Sequence, residues 1–180
     1  NSFCTLLAPH KHMPKVRPGM PKPPKGFDAV SGVLDAFDAE MKAAIAEPHQ
    51  GKRKAETTWG VAKVNRSRTR AVWELFRAGK ASKEVLEYCV KVKFIDGSLV
   101  RLWGLKGYEN ACCAECVNPK NHSFGGTCVC RVPARDRGDD PIACSTCGCT
   151  GCASGDEKKK AAAPTSNAAA VADEADAQPE

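Results

Sequence analysis

The sequence predicts a mainly α-helical chain whose last third is organised by metal instead of by a hydrocarbon core. Three observations carry that prediction. Apolar residues recur at helical spacing from Val30 to Trp103, and this periodicity vanishes from Ala111 onward. Nine of the 11 cysteines fall between Cys112 and Cys152. Aromatic residues supply only 6% of the chain against 12 Pro and 15 Gly, which leaves too little large apolar mass for one extended core.

The first residues, 1–27, are proline-rich and basic without periodicity and read as a flexible arm. A helix opens at Asp28, where Val30, Val33, Leu34, Phe37, Met41 and Ile45 form one stripe, and Glu47-Pro48 stops it. A second helix is expected from about Arg53 to Arg77, with Ala55, Trp59, Ala62, Val72, Trp73 and Phe76 on its buried side and Gly79 beyond its end. Ser82 suits the N-cap of a third helix whose inward residues are Val85, Leu86, Cys89 and Val90. Asp96 suits the N-cap of a fourth, carrying Leu99, Leu102 and Trp103 up to Gly107 as the terminating glycine. The expected organisation is an arm over 1–27, a helical domain over 28–110, a cysteine-rich module over 111–153, and a disordered Ala-rich tail over 154–180.

Charge is unevenly placed within a net of +6. From Gln50 to Lys80 nine Lys or Arg face two Glu, a local net of +7, whereas from Ala153 to Glu180 three Lys face six acids. A basic block of this kind points to an anionic partner, and nucleic acid is the commonest. Lys52, Arg53, Lys54, Lys63, Arg66, Arg68 and Arg70 are the candidate phosphate-binding residues; the same charges would also suit a solvated helix face. No run of about 20 apolar residues occurs, which excludes a membrane-spanning helix. The apolar stretch at the start is too short for a secretory signal. A reducing compartment is therefore expected, and the cysteines pose a metal question rather than a disulfide one.

The cysteines of the last third are Cys112, Cys113, Cys116, Cys128, Cys130, Cys144, Cys147, Cys149 and Cys152. Pairs spaced Cys-x2-Cys bring two thiolates onto one tetrahedral Zn²⁺ at about 2.3 Å, and the intervening glycines permit the turns. Two separate four-cysteine sites would leave one thiolate over. Three tetrahedral ions need twelve metal–sulfur bonds, which nine thiolates supply when six are terminal and three bridge. The count favours a three-zinc cluster, although spacing does not say which cysteines bridge. An iron–sulfur cluster uses the same donors. With every coordination position filled by sulfur, no water is left to activate, so catalysis is not expected. The odd count opposes disulfide pairing. Cys89 reads as a small buried hydrophobe, and His122 as a weaker ligand candidate.

Several segments together resemble the bud-site-selection protein 31 family: Glu47-Pro48-His49-Gln50-Gly51-Lys52-Arg53-Lys54, Leu86-Glu87-Tyr88-Cys89, Gly107-Tyr108-Glu109-Asn110 running into Cys112-Cys113, Phe124-Gly125, Cys128-Val129-Cys130-Arg131-Val132-Pro133, and Cys144 to Cys152. The likeness spans roughly Met13 to Gly155. Met13-Pro14-Lys15-Val16 is similar to the family's own start, so residues 1–12 are expected to be a non-native extension. The resemblance implies a non-enzymatic nuclear component of the spliceosome, a helical half joined to a multi-zinc module, and the nine cysteines as metal ligands. It also implies contacts with small nuclear RNA and spliceosomal proteins, a monomer within a large complex, no membrane and no small-molecule substrate. The chain departs from the family in a more Pro-rich arm, in Thr150 where a basic residue is usual, and in the tail beyond Gly155. Two other classes compete. A DNA-binding or co-regulatory transcription factor lacks support from any Cys2His2 spacing or recognition helix after a metal knuckle. A metal-storage protein would have no use for the helical half.

Overall fold

The computed structural model describes residues 19–122, 125–138 and 142–156; the expected arm over 1–18, Cys4, Phe124 and the tail over 157–180 lie outside the described residues. Four helices fill the N-terminal half: α1 (Asp28–Ala46), α2 (Trp59–Arg77), α3 (Lys83–Lys91) and α4 (Gly97–Trp103). No strand occurs among the described residues.

Helix α1 begins and stops where the sequence says. Glu47 takes φ −62° and ψ 130°, the extended conformation that a following proline imposes. Its apolar stripe buries Val30 and Leu34, but Ile45 at the far end is 63% exposed. Helix α2 returns alongside α1, and the Cβ position of Gly60 lies 3.6 Å from that of Ala44. It starts later than Arg53, because the Arg53 backbone N–H and Nε both donate to Glu56 (3.2 and 2.5 Å) and close a local turn. A 3₁₀ turn, Glu56–Thr58, follows, and Ala55, expected on the buried side, is exposed.

The caps of the next two helices are as expected. Ser82 Oγ accepts from Val85 N (3.3 Å), and Asp96 Oδ1 accepts from Ser98 N and Leu99 N (2.8 and 3.3 Å). Helix α4 ends at Trp103 with Gly104 after it, a turn short of the expected Gly107. There Trp103 turns inward and donates Nε1–H to Ala111 O (3.0 Å), folding the chain back under itself.

Of residues 19–27, within the expected arm, Phe27 is buried and Pro21 is bound through its carbonyl, while Gly19, Pro21, Lys22, Lys25 and Gly26 are exposed. Phe27 is buried edge-on against Tyr88 (5.4 Å between centroids) and lies 6.2 Å from Phe94. The Tyr88 hydroxyl donates to Pro21 O (2.9 Å). One buried aromatic contributes about 2–3 kcal/mol, enough to tie down a short segment.

The core between the helices is hydrocarbon: Val30, Leu34, Val72, Val85 and Ile95 lie at its centre, with Cys89 among them. Thr69 is the polar exception. Fully buried in α2, its hydroxyl donates to Asn65 O (2.8 Å) and accepts from Asp96 N (3.1 Å), fastening α2 to the cap of α4. Beyond α4 the regular structure among the described residues shrinks to 3₁₀ turns at Pro119–Asn121, Val129–Arg131 and Ala134–Asp136. The buried cluster there consists of cysteines, with Val129 beside them.

Candidate metal centre

All nine cysteines of the last third converge on one place. Tight backbone turns bring Cys144 to Cys149 together, with Gly148 N donating to Cys144 O (2.8 Å) and Cys144 N to Cys149 O (3.0 Å), and Cys152 N donates across to Cys130 O (2.8 Å). Three quartets of sulfurs form, each with its atoms within 4.8 Å of one another. They are Cys112, Cys130, Cys149 and Cys152; Cys112, Cys113, Cys116 and Cys147; and Cys116, Cys128, Cys130 and Cys144. Each pair of quartets shares one sulfur. Cys112, Cys116 and Cys130 each belong to two quartets and the other six cysteines to one. The three shared sulfurs close a ring.

The donor set fits tetrahedral metal ions. A metal–sulfur bond of about 2.3 Å places tetrahedral sulfurs about 3.8 Å apart. The separations in the cage are 3.6 Å for Cys112–Cys130, 3.5 Å for Cys116–Cys144, 3.7 Å for Cys116–Cys147, and 3.3 Å for Cys128–Cys144. A disulfide would bring sulfurs to about 2.05 Å, and none joins any of the nine.

The sulfurs lie close enough to share protons along hydrogen bonds. Hydrogen bonding from Cys112 holds the Cys149 and Cys152 thiols below the ordinary value. Cys112 itself, hydrogen-bonded first to Cys113, is pushed up. Nine adjacent thiolates coexist only with cations among them, which is how a metal cage differs from a thiol cluster.

The helical half grips this cage through the segment that enters it. The carbonyls of Gly107, Glu109, Asn110 and Ala111 accept from Arg131 Nη2 (2.9 Å), Arg70 Nη1 (2.7 Å), Arg66 Nη2 (3.3 Å) and Trp103 Nε1 (3.0 Å) respectively. Arg131 also donates to Cys152 O (2.9 Å), approaches its sulfur (3.9 Å), and stacks on Tyr108 (4.8 Å to the centroid). Its fixed positive charge therefore lies against the cysteine cluster. Glu109 folds back to accept from Gly107 N (2.9 and 3.0 Å) and Ser154 Oγ (2.8 Å), and these hydrogen bonds hold its carboxyl below the usual carboxylate range. At the far side Trp59 donates Nε1–H to Ser145 O (3.1 Å) and lies flat on Gly148. Gly148 has φ 68°, and a Cβ there would sit 2.7 Å from the indole, so this approach needs glycine twice over.

A profile of the family described as Pre-mRNA-splicing factor BUD31 matches residues 13–154. The chain belongs to the BUD31 family of pre-mRNA-splicing factors. The Protein BUD31 homolog of Branchiostoma belcheri is 41% identical over 142 residues, covering 78% of this chain and 99% of that protein. Pre-mRNA-splicing factor cwf14 of Schizosaccharomyces pombe is 35% identical over 148 residues, and Pre-mRNA-splicing factor BUD31 of Saccharomyces cerevisiae 31% identical over 157. Each alignment covers 80% of this chain and the whole of the relative. The span matched to BUD31 takes in all nine clustered cysteines and the whole basic block.

Within that BUD31 span the seven candidate phosphate-binding residues separate into two groups. Lys54 and Lys63 are exposed, Lys52 pairs with Glu47 (2.6 Å), and Arg53 pairs with Glu56 while lying 5.9 Å over the Trp59 ring. Arg66, Arg68 and Arg70 are half-buried. Arg70 is held by Glu74 (2.9 Å) and stacks on Trp103 (5.1 Å), and Arg68 donates to Asn65 Oδ1 (3.1 Å). Sequence reasoning passed over the carbonyl-clamping role of Arg66 and Arg70. Their i, i+4 spacing on the helix that also carries Trp59 was the one signal for it. His122 Nε2 lies 3.3 Å from Cys116 O, and His122 is a member of none of the quartets.

Proposed function

We propose that this chain is a non-enzymatic nuclear component of the spliceosome whose last third, over 111–153, is folded by three zinc ions. The observation that carries the reading is the sharing pattern in the cage. Six cysteines in one quartet and three in two supply the twelve bonds of three tetrahedral ions with no sulfur left over. Cys112, Cys116 and Cys130 are the bridging ligands; Cys113, Cys128, Cys144, Cys147, Cys149 and Cys152 are the terminal ones. All positions are then occupied by sulfur, so the ions act in folding and leave none open for catalysis. The helical part over 28–110 provides docking surface for spliceosomal proteins, and the chain enters the complex as a monomer.

The basic residues Lys52, Arg53, Lys54, Lys63, Arg66, Arg68 and Arg70 form the face that meets small nuclear RNA. Lys63 and Arg66 line a cleft of about 370 Å³ whose opposite wall is the loop of Cys147 to Gly151, so helix and metal module present one continuous surface. Because Arg66 and Arg70 also hold the segment entering the cage, the discriminating variant replaces Lys52, Lys54 and Lys63 by Glu. RNA crosslinking in assembled spliceosomes is expected to fall, and binding to single-stranded RNA to become less salt-dependent, by about 0.7 in the logarithmic slope for each phosphate that the variant no longer neutralises. Unchanged crosslinking would reject this face. Metal analysis tests the other half of the reading: three zinc ions per chain support it, and two reinstate separate sites.

A further inference from the structure

A second groove lies between α3 and α4, with a volume of about 700 Å³. Its floor is aliphatic: half-buried Val90 and Val100, with Leu86 and Ile95 behind them. The floor is set by close packing, since a Cβ on Gly97 would lie 2.6 Å from Val90 Cγ1.

Its rim is cationic. Lys91, Lys93 and Arg101 are exposed and line both walls. Two carboxylates share the lining: Glu87, whose charge Lys83 offsets (3.7 Å), and Asp96, which caps α4, so three cations face one unbalanced carboxylate. Lys93 holds its place at a conformational cost. It occupies the left-handed position after α3 with φ 66°, where Phe94 N bonds Cys89 O (2.9 Å) and Lys93 N bonds Val90 O (3.2 Å). Glycine is the favoured residue at that position of a helix end. Lysine at this position puts a charge on the groove that glycine would not supply.

We infer that this groove receives a segment of a partner protein in which aliphatic side chains alternate with Asp or Glu. The aliphatic side chains fill the floor and the acids meet Lys91, Lys93 and Arg101. RNA fits less well, because no residue lining the groove is aromatic and so nothing there stacks a base. The inference rests on the spliceosome reading only for where the partner is found.

The test uses the full metal-loaded chain with a photoreactive benzophenone side chain at position 98, assembled into splicing extract, followed by sequencing of the crosslinked species. A crosslinked peptide rich in aliphatic and acidic residues is expected. The same peptide, made synthetically, is expected to bind the purified chain at least about tenfold more weakly when Lys91, Lys93 and Arg101 are replaced by Glu. Lys93→Gly separates charge from fold: it is expected to weaken peptide binding severalfold while leaving the melting temperature unchanged or higher. An RNA adduct, a basic peptide, the chain's own acidic tail, a second copy of the chain, no adduct, or binding indifferent to the three charges would each overturn the inference. A crosslink of the expected chemistry from complexes lacking spliceosomal RNA would instead break the spliceosome reading and sustain this one.

Discussion

The helical half and the cysteine half bury their centres by different chemistry. Between α1 and α4 the core is a sum of independent parts, each side chain contributing about 1.5–3 kcal/mol by leaving water. Val72, Val85 and Leu99 are fully buried, yet no one of them defines the fold. Beyond Asn110 the buried side chains are almost all sulfur, arranged in three quartets that share members. A sum of parts weakens gradually when one part is removed. A ring with shared corners fails together, and the two halves can be told apart by how they break.

Metal removal is expected to have the largest effect. Structural zinc contributes about 10–16 kcal/mol of apparent folding free energy per site in small zinc domains. A strong chelator should therefore unfold the region beyond Asn110, while far-UV circular dichroism retains most of the signal of α1 and α2. Acid should act in the same direction, because protons compete for the thiolates. Hydrogen exchange resolves the two halves. Protection surviving beyond Asn110 after chelation would mean that sulfur coordination does not organise that region.

A single-sulfur comparison sharpens the point. Cys112 and Cys128 are both buried, at 4% and 7% exposure, but Cys112 belongs to two quartets and Cys128 to one. Native mass spectrometry of Cys112→Ser is expected to show loss of two or three ions, against one for Cys128→Ser. Equal losses would remove the bridging assignment.

How much of this the sequence disclosed follows the same division. The helices were legible because hydrophobic periodicity is local: the caps Ser82 and Asp96 and the stop at Pro48 each depend on neighbours within four residues. That the nine cysteines form one candidate cluster was legible from spacing. Which of them two quartets share was not, since sharing is decided by three-dimensional convergence across the span from Cys112 to Cys152. The joint between the halves was also hidden. Arg66 and Arg70 read as charge on a basic face, and only the path of residues 107–111 shows that their guanidinium groups end on backbone carbonyls. Thr69 stayed unread because a polar residue in mid-helix gives no sign that a cap lies opposite.

That joint is the next place to press. Gly148→Ala forces a methyl into the Trp59 ring and an alanine into a left-handed backbone. Together these cost about 3 kcal/mol. A fall in melting temperature of several degrees with three ions still bound is expected. Loss of metal would show instead that Trp59 supports the cage and does more than dock on it.

The smallest effect comes from a cysteine on the wrong side of the comparison. Cys89 is fully buried in α3, within the hydrocarbon core and outside every quartet. Burial pushes its thiol up to about 11. A raised value means that the neutral thiol is the form the fold accepts. Its contribution is complete below the ordinary thiol value, about 8.5, and declines as pH rises toward 11. At neutral pH Cys89 should resist alkylation in the folded protein. Cys89→Ala should cost about 1 kcal/mol, the value of one small buried group, with the metal content untouched. Mass spectrometry after iodoacetamide treatment and metal analysis of the variant check both statements. Loss of metal in Cys89→Ala would show that the hydrocarbon and sulfur cores are one cooperative unit.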